Sequence, residues 1–85
     1  MYRIKYRKAA SKGLRKLPLR TGKKIGDTLK DVAVDPHNYR GDWKPLKGSP
    51  YWRLRIGRYR AICDLREQEL VLLVLNVGAR GDVYK

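Results

Sequence analysis

The chain has 85 residues, room for one domain spanning 1–85, and a chain of this size buries only about 60–65% of the surface that it exposes when unfolded. Lysine and arginine number 21 against 8 acidic residues, a formal charge of +13, which bears on partners rather than on fold. A lone cysteine, Cys63, excludes an internal disulfide and suits a reducing cytoplasm; no amino-terminal stretch reads as a secretion signal and no apolar run is long enough to span a bilayer.

Residues 2–7, YRIKYR, alternate, with Tyr2, Ile4 and Tyr6 on one side and Arg3, Lys5 and Arg7 on the other. This predicts a half-buried first strand. Ala10, Leu14 and Leu17 then form a short helical face that Pro18 ends. Over residues 19–34, Ile25, Leu29, Val32 and Ala33 recur at the spacing of a core-facing helical stripe. Gly22 and Gly26 interrupt it and are expected to let this helix approach a sheet closely, and Asp35-Pro36 ends it. The second half reads as β. WKPLKG is a short irregular or edge strand, because Pro45 bars a central position. YWRLRIG alternates, with Trp52, Leu54 and Ile56 inward and Arg53 and Arg55 outward; Gly57-Arg58 is a tight turn. YRAICDL returns, REQ turns, and ELVLLVLNV is apolar on both faces, as a central strand is. The expected fold is α+β, in the order β-α-α-β-β-β, an antiparallel sheet with two helices packed on one face.

The face left open is where Arg53 and Arg55 point. Between Trp43 and Cys63 stand six cations, Lys44, Lys47, Arg53, Arg55, Arg58 and Arg60, with no acid, interleaved with Trp43, Tyr51, Trp52 and Tyr59. In a hairpin, Arg60 is expected beside Arg53 or Arg55, and like charges directly across a sheet destabilise it. Such a cluster implies an anion, and the planar guanidinium fork fits phosphate. Nucleic acid is therefore the first expected partner, through release of the counterions that phosphates condense. A merely solubilising surface comes second and an anionic membrane third, since the arginines do not fall on a long amphipathic helix. Inward parity makes Trp52 a core residue, whereas Tyr51 suits either packing or base stacking. The single histidine, His37, leaves no familiar set of zinc ligands, so no metal or cofactor is expected.

The segments LKG (46–48), GRYRAI (57–62) and VGARGDVY (77–84), the last closing a long apolar strand, occur in this order after a helix pair. Together they resemble the RelE/ParE toxin superfamily over nearly the whole chain. The resemblance implies a toxin of a type II toxin–antitoxin system, of the RelE type, that cleaves messenger RNA in the ribosomal decoding site without a metal. It also implies restraint by a cognate acidic, RelB-like antitoxin. By motif position, Arg53 and Arg55 are the family's basic pair, Arg60 and Arg80 its later arginines, and Tyr84 its late tyrosine. Arg58, Lys44 and Lys47 join the pair as phosphate contacts. The sequence departs from the family in having arginine where lysine is frequent in the pair, Cys63 where many members have tyrosine, and Ala79 where histidine or lysine stands.

Attack by a ribose 2′-hydroxyl needs a base, charge stabilisation at phosphorus and help for the leaving oxygen. Tyr84 is the expected base, because neighbouring cations favour the phenolate. Arg60 and Arg80 are expected to stabilise charge, since arginine is a poor proton donor; donation by Arg80 to the 5′ oxygen is the weaker assignment. Two other readings stay open: a gyrase inhibitor of the ParE branch, which shares the fold, and a non-catalytic RNA-binding module.

Overall fold

The computed structural model describes residues 1–79. The elements in chain order are β1 (Arg3–Tyr6), α1 (Lys8–Arg15), α2 (Leu19–Val34), β2 (Trp43–Pro45), β3 (Trp52–Ile56), β4 (Tyr59–Arg66) and β5 (Val71–Ala79). WKP is thus a full strand at the sheet edge, where a proline costs no ladder bond to a further neighbour.

Pro18 separates the helices, and its carbonyl accepts the Gly22 N–H at 2.9 Å in the first turn of α2. The stripe of α2 is buried as its spacing requires: Ile25, Leu29, Val32 and Ala33 are each no more than 1% exposed. Close approach to the sheet falls to a different glycine than expected. A Cβ on Gly13 would sit 2.0 Å from the Val77 carbonyl oxygen, so α1 rests directly on β5. Gly22 meets only the Leu14 carbonyl, at 3.5 Å, and Gly26 faces open space.

The sheet runs β1-β5-β4-β3-β2. Three pairs are antiparallel, but β1 lies parallel to β5, with Arg3 opposite Val71 and Tyr6 opposite Val74. The sheet is therefore mixed and five-stranded, a correction to the antiparallel expectation. The physical reason is that no hairpin constrains β1: two helices follow it, and the crossover sets its direction. β5 has neighbours on both sides, in keeping with its continuous apolar run.

The β4–β5 ladder jumps register between Ile62, opposite Asn76, and Cys63, opposite Val74. This bulge resets parity so that Leu72, Val74 and Val77 are all buried toward the helices. The β3–β4 turn has two central residues, with Gly57 at φ 59° supplying the left-handed geometry at the first of them. At the β2–β3 edge, Trp43 stacks on Trp52 (5.1 Å between centroids, 19° between planes), and its indole N–H donates to the Pro36 carbonyl at 2.9 Å. Trp52 is a packing residue, as its parity indicated.

Candidate phosphate-binding face

The ladders put the helices on one face of the sheet and the cations on the other. Lys44, Arg53, Ile62 and Asn76 form one row across β2 to β5. Arg55, Arg60 and Gly78 form the next. Arg60 stands directly opposite Arg55, one of the two positions expected, and directly opposed side chains on one face lie about 5 Å apart at Cβ. The β strands thus gather Lys44, Arg53, Arg55 and Arg60. Arg60 is half-buried, with its Nε closed off from solvent.

The pair Arg53 and Arg55 is not uncompensated. Arg53 donates from Nη2 to Oδ1 of Asp42 at 2.9 Å, and Arg55 donates from Nε to Oδ2 at 2.8 Å. The backbone joins the same residues, Arg55 N–H to the Asp42 carbonyl at 2.9 Å. Desolvation works to raise the Asp42 pKa, but the Arg55 hydrogen bond and the charges of Arg53, Arg55 and Lys44 outweigh it and hold the carboxyl below its ordinary value. Sequence reasoning missed this residue because it lies one position before Trp43, where the run of cations begins. The signal was there: a strand pairing Trp43 with Leu54 carries Asp42 next to Arg55.

Arg58 is not brought to this group. It lies at the hairpin tip, its guanidinium 5.9 Å from the Tyr59 ring centroid, and lines a cleft with Arg20, Thr21 and Lys24 of α2. Lys47 sits in the β2–β3 loop, at the end of β3 away from Arg55. Arg80 and Tyr84 lie outside the described residues; β5 ends with Ala79, the residue before Arg80, opposite Tyr59.

Cys63, which stands where many relatives carry tyrosine, is fully buried on the helix side, and burial pushes its thiol pKa up. His37 lies at the far end of the β3–β4 ladder from Arg60, edge-on to Trp52 at 6.1 Å and against Glu67. Among the described residues no group of three or more His, Cys, Asp or Glu side chains is arranged to hold a metal ion, and no helix is long and apolar enough to cross a membrane.

A mixed five-stranded sheet backed by two helices, with arginines across the opposite face, defines a toxin of RelE-like fold. A family model described as the ParE toxin of type II toxin–antitoxin systems, parDE, matches residues 4–84, and the chain belongs to that family. The archaeal RelE–RelB complex from Pyrococcus horikoshii is similar at 26% identity, with a TM-score of 0.79 over 95% of this chain and 97% of that one. The Escherichia coli RelBE complex is similar at 22% identity, with a TM-score of 0.80 over 93% and 96%. The YoeB/ParE toxin from Agrobacterium tumefaciens is similar at 19% identity, with a TM-score of 0.78 over 92% and 98%. No curated protein matches the sequence.

Proposed function

We propose that this type II toxin is a ribosome-dependent endoribonuclease that cuts messenger RNA in the decoding site, using side chains alone. The observation that carries the reading is Arg60, locked on β4 directly across from Arg55, on the cationic face opposite the helices. One scissile phosphate on this face would meet several guanidinium groups, which suits the charge that builds up when a 2′-hydroxyl adds to phosphorus. Tyr84 takes the 2′-hydroxyl proton, Arg60 and Arg80 stabilise the pentacoordinate phosphorus, and the 5′ oxygen departs as it takes a proton from Arg80 or from solvent water. The products are a 2′,3′-cyclic phosphate and a 5′-hydroxyl. Arg53, Arg55 and Lys44 hold the flanking backbone; Arg58 and Lys47, set apart from them, contact RNA or ribosome further out. Between bursts of activity a RelB-like acidic antitoxin restrains the toxin, as RelB accompanies RelE in the similar complexes.

Brief expression without antitoxin, with message 5′ ends mapped and DNA damage followed in the same cells, tests this reading. The expected result is new ends inside coding regions with intact DNA, and loss of about 100-fold or more in cleavage for Arg60→Ala. A second reading, inhibition of DNA gyrase, is favoured by one observation, that the matching family model is the ParE one. DNA breaks with uncut messages would establish it and overturn the nuclease.

A further inference from the structure

Asp42 presents one oxygen to Arg53 and the other to Arg55, at 2.9 and 2.8 Å. That is the arrangement in which two guanidinium groups hold two oxygens of one phosphate. We propose that Asp42 is a built-in occupant of the phosphate site, which RNA must displace to reach Arg53 and Arg55. The proposal rests on the reading of this face as an RNA site, and it names a specificity residue that the reading lacked.

Four features support a displaceable latch over a fixed structural bridge. The carboxylate side chain is 32% exposed and that of Arg55 is 44% exposed, so an incoming anion can approach from solvent. The Arg55 ion pair, open on both sides, contributes at most about 1 kcal/mol, an amount that one phosphate contact can replace; Arg53, with a side chain 14% exposed, is the more buried of the two partners. The backbone bond from Arg55 to the Asp42 carbonyl holds the main chain, so the side chain can swing out while β2 stays paired. The neighbouring acid on β4, Asp64, is engaged by Arg66 at 3.3 Å toward the other end of that strand, so Asp42 alone serves the β3 pair among the described contacts.

The consequence is selectivity. A toxin at +13 would bind any RNA backbone through counterion release. With the pair occupied, random RNA meets a weakened site, and only RNA held by further contacts evicts the carboxylate.

The test is the affinity of the full chain for a labelled, mixed-sequence single-stranded RNA, followed by fluorescence anisotropy across a salt series. Asp42→Asn keeps the shape and removes the charge. It should bind about tenfold more tightly at low salt, as expected for loss of one like charge beside the phosphates. Its log–log salt slope should steepen by about 0.7, one added phosphate contact on a single strand. Should Asp42→Asn fail to fold, Asp42→Ser carries the same expectation, its hydroxyl still accepting from one arginine. Equal or weaker binding by a folded variant overturns the latch and makes Asp42 a plain structural partner. Binding is read without cleavage, so tighter binding in a protein that cuts no message would remove the nuclease and leave the latch.

Discussion

Asp42 touches two arginines that sequence alternation had marked as exposed and charge-bearing, and it changes what they are. Arg53, with a side chain only 14% exposed, needs a partner, and the carboxylate is that partner. The pKa of Asp42 is lower in the folded chain than the ordinary value near 3.9. A depressed carboxyl stabilises the fold above its unfolded pKa, and that contribution disappears as pH falls through the lower folded value. Asp42→Asn should therefore lose up to about 1 kcal/mol at neutral pH, with wild type and variant converging once the pH falls below the depressed folded pKa of Asp42; urea midpoints at several pH values measure this. A difference that persists at the acid end of the series, where the carboxyl is protonated in both states, would mean that the charge is not the cause. The outward arginines of β3 were legible because side chains alternate along a strand. Their carboxylate partner was not, because the strand that carries it is short, begins after an irregular loop, and is aligned only by pairing with β3.

The contact between α1 and β5 hangs on Gly13. Gly13→Ala puts a methyl group on the Val77 carbonyl and should cost about 2 kcal/mol or more, since the obstacle is strand backbone held in the sheet by its pairing with Ala61 of β4. Gly26→Ala, where a Cβ meets nothing, should instead stabilise α2 by about 0.5–1 kcal/mol. Chemical denaturation of the two variants reads both, and equal effects would refute the assignment. The helix boundaries were written in Pro18 and Asp35-Pro36, and the core face of α2 in its four apolar positions. Which glycine meets the sheet was not, because helical spacing gives a face but no depth. Nor was the direction of β1, whose pairing with Val71–Val74 depends on how two helices cross the sheet.

At the scale of the whole molecule, an unbalanced charge of +13 on so small a core opposes folding by self-repulsion. An acidic antitoxin should relieve it, adding about 2.7 kcal/mol at a hundredfold excess over Kd and raising Tm by about 10 °C or more. Calorimetry of toxin with saturating antitoxin tests this; an unchanged Tm would count against an antitoxin of that kind. The parallel β1–β5 pair has a further consequence, for biosynthesis. The ribosome makes β1 long before β5, its sheet neighbour, so the nascent chain must hold that strand in waiting through almost all of its own translation. Joining the most distant strands in parallel is slow, and until it happens β5 offers a bare hydrogen-bonding edge to any extended peptide nearby. Among the described strands, closure of the sheet therefore waits on the β1–β5 pairing.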